Sequence, residues 1–147
     1  MRRPIGRQAV VIGAGMSGLA AARALADHFE QVIVLERDGL PSDTTPRAGT
    51  PQARHLHGLL GGGQQALCAL FPGFEQDLAR AGAVPIRVNL DLREEPPGHT
   101  PFPQRDLGWV GYTMSRPLIE LTVRRCLEQQ ANVTLRGRCR VLSIVMA

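Results

Sequence analysis

Apolar residues fall along this chain in two rhythms. QAVVIG, residues 8–13, is a continuous apolar run ending in glycine, which predicts a short buried strand. MSGLAAARALADHF, residues 16–29, has helical spacing, with Leu19, Ala22, Leu25 and Phe29 sharing a face. QVIVLE, residues 31–36, predicts a second buried strand. Strand, helix and strand within about thirty residues make a βαβ unit.

The rest of the chain is less regular. Asp38 to Pro51 holds three prolines and two glycines and reads as a loop. LLGGGQQALCALF (59–71) and FEQDLARAG (74–82) predict two helices, the second closed by Gly82. VPIRVNLDLR (84–93) alternates apolar and polar residues as a half-exposed strand does. EEPPGHTPFPQ (94–104) is irregular, and GWVGYTM (108–114) predicts another strand. SRPLIELTVRRCLEQQ (115–130) predicts a helix with Ser115 as N-cap and Leu118, Leu121 and the stem of Arg125 on one side. NVTLR (132–136) and RVLSIVM (140–146) predict two strands joined tightly at Gly137. The expected fold is α/β, a Rossmann-like βαβ core followed by further helices and strands. Residues 8–60 hold the βαβ unit and the loop after it, and residues 61–147 the remainder.

The first strand leads into Gly13-Ala-Gly15-Met-Ser-Gly18, a G-x-G-x-x-G motif. Such hexamers occur by chance, so context decides their meaning. This one opens a helix, and Glu36 ends the next strand eighteen residues after Gly18. Gly13 permits the tight turn, Gly15 keeps a side chain away from a pyrophosphate, and Gly18 lets the helix approach the sheet. A diphosphate would meet free amides at the positive end of the helix dipole. Glu36 can accept hydrogen bonds from both ribose hydroxyls and would repel a 2′-phosphate, which disfavours NADP. FAD and NAD both remain open on these residues.

Composition narrows the alternatives. The 147 residues suit one domain, with 44% hydrophobic and 20% charged positions. The net charge is +4, yet all 17 basic residues are scattered arginines and aromatics make up only 4%, which argues against a nucleic-acid surface. The run from Gln8 to Ala22 is shorter than the roughly 18 apolar residues of a membrane span and carries the glycine motif, so it reads as a strand rather than a leader. Cys68, Cys126 and Cys139 are odd in number and widely spaced, each expected as a small buried hydrophobe in a reducing cytoplasm. RAGTPQARHLHGLL, residues 47–60, admits several readings. Its histidines could be metal ligands, a general base, solvent-facing residues or ties within a loop beside a cofactor.

With VIGAGMSGLAAARAL, VLERD and RAGTPQARHLH together, the chain resembles the group A flavin monooxygenases of the para-hydroxybenzoate hydroxylase type, and TPQARHLHGLL points towards their epoxidase-like branch. The resemblance implies FAD, held at Gly13, Gly15, Gly18, Glu36 and Arg37, with the arginine beside the adenosine end. It implies a flavin loop at Arg47 and Gly49 with the histidines tying it down, a further FAD contact at Arg116, and an adenine contact at Val141. It also implies NAD(P)H as reductant, transfer of one oxygen atom to a small organic substrate, and no identifiable catalytic residue here. The family's complete enzymes are much longer and carry a Gly-Asp motif that this chain lacks. The resemblance therefore implies the N-terminal portion of an incomplete Rossmann-like FAD/NAD(P)-binding fold with part of a β-rich substrate domain, its flavin loop within residues 8–60. It is expected to be inactive alone, whether as a truncated reading frame, a decayed copy or one piece of a split protein completed by a C-terminal polypeptide. A non-catalytic dinucleotide-binding fragment and an NAD-using dehydrogenase domain are the rival readings.

Overall fold

A computed structural model describes residues 4–145. Strand β1 (Gly6–Ile12), helix α1 (Met16–Ala26) and strand β2 (Phe29–Leu35) form the expected βαβ unit. β1 and β2 pair in parallel from Gly6↔Phe29 to Ile12↔Leu35. Phe29 begins β2 instead of ending α1, because its ring lies over Gly6, where a Cβ would come within 2.8 Å of it. The chain turns just before, where the Ile5 amide donates to the His28 carbonyl.

The loop expected from Asp38 to Pro51 is irregular up to Thr50. Past it, an unexpected 3-10 turn at Pro51–Arg54 leads into an unexpected strand β3 (Leu56–Leu59), and the two expected helices follow as α2 (Gly61–Leu70) and α3 (Phe74–Arg80). Gly82, at φ +98°, follows α3 as expected. β4 covers only Val84–Arg87, less than half of the predicted strand. Asp91 folds back onto the Arg87 amide (2.8 Å), with Asn89 at φ 65°, so a turn replaces the remainder. β5 (Val110–Ser115) pairs antiparallel with both β3 and β4. The expected partial β-rich region is thus a three-stranded sheet with β5 in the middle.

α4 (Arg116–Glu128) returns the chain to the first sheet. Ser115 caps it, its Oγ accepting from the Leu118 amide at 3.3 Å, and Pro117 in the first turn sacrifices no hydrogen bond. The helix is buried around most of its girth: Glu120, Thr122 and Arg124 are buried along with Ile119, Leu121, Val123 and Leu127. Arg125 lies on the exposed side, its guanidinium donating to the Ser42 carbonyl (3.1 Å) rather than lining the core. β6 (Val133–Arg136) then pairs in parallel with β2, giving the sheet order β1-β2-β6.

The hairpin expected at Gly137 is not formed. Arg138, at φ 56°, donates its amide to the Asp38 carbonyl, and Cys139 donates to the Glu36 carbonyl, each at 2.8 Å. The chain therefore runs on beside the end of β2 and does not fold back along β6. Residues 140–145 join no ladder, and Met146 of the predicted strand lies outside the described residues.

One core joins these pieces. Val11, Val32 and Val34 from the parallel sheet meet Leu19 and Ala22 of α1, Phe74 and Leu78 of α3, and Val123 and Leu127 of α4. Its tightest point is the α1 crossing. A Cβ at Gly18 would stand 1.9 Å from the Gly13 carbonyl oxygen, whereas one at Gly15 would meet nothing within 4 Å. Gly18→Ala should therefore destabilise the chain by roughly 3 kcal/mol through overpacking. Gly15→Ala should melt within a degree or two of the parent, since its φ of −75° suits any residue. Thermal unfolding of the pair checks this; equal midpoints would mean that α1 does not press on the loop.

Candidate functional site

The three glycines form a turn whose parts are distinct. Gly13 takes φ +99°, a left-handed conformation natural to glycine, and its amide donates to the Leu35 carbonyl at 2.8 Å. Gly15 is the N-cap of α1, has no side-chain cap, and has open space where a Cβ would be. No acidic residue stands in the first turn of α1, and among the described residues the Met16 and Ser17 amides find no protein acceptor. The loop thus offers free N–H groups, a helix dipole and unobstructed approach, three things an anionic diphosphate needs.

Glu36 sits just past β2 and is only 6% exposed. Its Oε2 accepts the Ala14 amide at 2.7 Å and its Oε1 accepts the Asp38 amide at 3.0 Å. Burial pushes its carboxyl up, but those two amides and the Arg47 charge outweigh this and hold it below the ordinary carboxylate range. Each oxygen of the ionised group keeps a second lone pair.

Arg47 is the hub of the site. Its guanidinium is buried, with Nη1 3.2 Å from Glu36 and 3.5 Å from Asp38. Its Nε and Nη2 both donate to Glu120 Oε1, at 2.8 and 2.5 Å, and Nη2 also donates to the Ala14 carbonyl at 3.3 Å. Asp38 Oδ2 in turn accepts the Gly49 amide at 2.6 Å, where a Cβ would lie 2.7 Å from that oxygen. Glycine at 49 is what lets the loop close over the acid.

These groups border an open cleft of about 460 Å³. Gly13, Gly15, Glu36, Arg37, Arg47 and Val141 all line it, so six of the eight sequence-predicted positions converge. Gly18 lies beneath, packed on the Gly13 backbone. Arg116 is elsewhere: it heads α4 with its Nε 3.7 Å from Glu120 Oε2 and does not border the cleft. Cys139 and Arg140, which sequence reasoning did not single out, join the lining with Thr50. Their only sequence signal was their place after a parallel strand, which the expected hairpin obscured. Cys126 is the buried thiol, pushed up to about 11 by burial and by Asp77, and Cys68 and Cys139 are half-buried.

The histidine loop stands apart. His55 is exposed, and neither His55 nor His57 reaches the cleft. His57 Nδ1 is 2.8 Å from the His55 carbonyl, a local tie within β3 and its approach. No group of three or more metal-ligating side chains occurs among the described residues. No helix among them is long and apolar enough to cross a membrane.

Fold and cleft together define a dinucleotide-binding α/β protein. The chain matches the FAD dependent oxidoreductase (DAO) family over residues 8–144 and belongs to it. The rival reading as an NAD-using dehydrogenase domain gives way to that membership. It is 40% identical over 130 residues to Protein Rv3254 of Mycobacterium tuberculosis (strain ATCC 25618 / H37Rv), a match covering 86% of this chain and 27% of that protein. Among solved structures, the tetrameric form of 2-methyl-3-hydroxypyridine-5-carboxylic acid oxygenase superposes with a TM-score of 0.58 at 17% identity, covering 91% of this chain and 32% of that one. A variant of the same oxygenase gives 0.57 at 18%, covering 90% and 32%. At those identities the likeness is one of fold. The chain spans about a quarter of its curated relative's length.

The depressed carboxyl of Glu36 has a measurable consequence. Stability from a lowered carboxylate is fully present above its unfolded value and is lost as pH falls through the folded one. Glu36→Gln should therefore flatten the fall in melting temperature as pH drops below the ordinary carboxylate range. Identical acid slopes for the two proteins would take the Glu36 charge out of this network.

Proposed function

We propose that this chain is the FAD-binding portion of a flavin-dependent monooxygenase of the group A type, in its epoxidase-like branch, acting on a small organic molecule. The observation that carries the reading is the cleft itself, with uncapped glycine-loop amides on one wall and a buried, ionised Glu36 on another. The residues fit FAD. Gly13, Gly15 and the first turn of α1 would hold the diphosphate, and Glu36 would take the ribose hydroxyls on its two remaining lone pairs. Arg37 and Val141 would flank the adenine end. Arg47 stays in the wall, holding Glu36 and the loop in place, and Arg116 is the proposed contact outside the cleft. A bound flavin would supply the redox chemistry, with NAD(P)H as reductant and dioxygen as oxidant, one oxygen atom ending on the substrate and the other in water. The chain's own part is to bind, orient and charge-match the adenosine and diphosphate half.

Gly15→Val tests the cofactor half of this reading. The φ/ψ at Gly15 suits any residue and a Cβ there meets nothing within 4 Å, so a branched side chain should extend into the approach that the diphosphate needs. FAD and ADP affinity should drop by more than tenfold while the melting temperature holds. Unchanged titrations would take the loop out of the binding site.

The monooxygenase half is tested by turnover. A reduced flavin must be shielded from water and aimed at its substrate, and this chain supplies only an open cleft. With FAD, NAD(P)H and alkene or aromatic substrates, the 147-residue chain should form no oxygenated product above free flavin. The same chain joined to the remaining length found in its relative should form product. Oxygenation by the chain alone would overturn its reading as an inactive portion, and oxidase activity without oxygen insertion in the longer protein would refute the monooxygenase assignment.

A further inference from the structure

α4 does not line the cleft through Glu120, yet Glu120 holds the strongest grip on the residue that does. It is 5% exposed and takes two charge-assisted hydrogen bonds from Arg47 on a single oxygen. Arg47 has Nη1 within ion-pair reach of Glu36, but its aligned donors point to Glu120 and the Ala14 carbonyl. The two oxygens of Glu36 consequently accept one amide each. The other oxygen of Glu120 accepts no hydrogen bond among the described residues and faces Arg116 at 3.7 Å. Arg124 lies on the same helix, buried, with its guanidinium on the Pro41 carbonyl. Glu120 is thus anchored among cations on its own helix and draws a third one away from the cleft.

We propose that Glu120 is a positioning residue for nucleotide recognition, turning the hydrogen-bonding edge of Arg47 away from Glu36 so that Glu36 keeps its free lone pairs for a ribose diol. The inference rests on the reading of the cleft as an adenosine–diphosphate site. Without Glu120, the guanidinium has only Asp38 and the cleft-lining Glu36 as carboxylate partners. It then competes with ribose hydroxyls for Glu36 and offsets the charge that rejects a 2′-phosphate. Glu120 therefore sets selectivity between nucleotides from behind the wall, without touching either.

The test titrates wild type, Glu120→Ala and Glu120→Gln with ADP and with 2′-phospho-ADP. In Glu120→Ala, ADP affinity should fall about tenfold while the 2′-phosphorylated nucleotide loses less or gains. Glu120→Gln keeps an acceptor oxygen for Arg47 and should lie between. Equal losses for both nucleotides would mark a merely structural residue, and unchanged affinities would equally overturn the proposal. A ligand-free cycle separates this from failure of the cleft reading. If Arg47 couples the two acids, Glu36→Ala and Glu120→Ala should lower the melting temperature together by less than the sum of their separate shifts. Should wild type bind neither nucleotide, the cleft reading falls, and additive shifts in that cycle would overturn the clamp by themselves. If the alanine variant does not fold, Glu120→Gln carries both measurements.

Discussion

A single buried guanidinium organises this molecule. Arg47 meets the carboxylates of Glu36, Asp38 and Glu120 and the carbonyl of Ala14, so it ties together the end of β2, the loop of residues 38–50, the phosphate-type turn and α4. A charge removed from water costs several kcal/mol unless its hydrogen-bond and ionic partners are complete, and leaving one partner of such a pair behind costs about 3–5 kcal/mol. That asymmetry makes the cluster all-or-none. The proline-rich loop has no ladder to hold it, and its placement depends on this cluster together with the Arg124 and Arg125 bonds to Pro41 and Ser42.

The glycine turn depends on the same arrangement from the other side. Ala14 donates to Glu36 through its amide and accepts from Arg47 through its carbonyl, so the two peptides flanking it, one to Gly13 and one to Gly15, are each fixed by a side chain from elsewhere. Gly18 fixes the turn from below by letting α1 approach the Gly13 carbonyl. What remains unconstrained is the top of the loop at Gly15, where amides point outward. Rigid below and open above is the condition for recognition by preorganised backbone, because little ordering is left for the ligand to bring about.

Sequence reading reached the elements whose cues are local. The βαβ unit, Ser115 as a cap and Gly82 as a stop all rest on residues within one turn or one strand of each other. It missed elements defined by partners. β3 is four residues, HLHGL less its first histidine, and is a strand only because β5 lies beside it. The run from Arg140 onward is apolar enough for a strand but has no partner among the described residues, and just before it the Cys139 amide pairs with the Glu36 carbonyl beyond β2. The site divides the same way. Gly13, Gly15 and Glu36 were legible from spacing, and Arg47 and Val141 from resemblance. Glu120 sits 73 residues from Arg47, in a helix whose sequence pattern assigned a side only to Leu118, Leu121 and Arg125, and only the fold reveals it as buried.

The two faces of the parallel sheet are unequally treated. One packs against α1 and α4 through Val11, Val32 and Val34. On the other, register aligns Val10 with Ile33 and Ile12 with Leu35, and Val10 and Ile12 are 52% and 56% exposed. Leu142, Ile144 and Val145 add further exposed apolar surface beyond the cleft. Parallel sheets are ordinarily covered on both faces, because each strand's alternate side chains need burial to offset the order imposed on them. This open face is therefore where further polypeptide of a longer protein would have the most apolar area to remove from water. The cleft opens at the carboxyl ends of the same strands, beside Ile12 and Leu35, which both border it. Cover added to that face would also deepen the cofactor site, so folding and binding would draw on one surface.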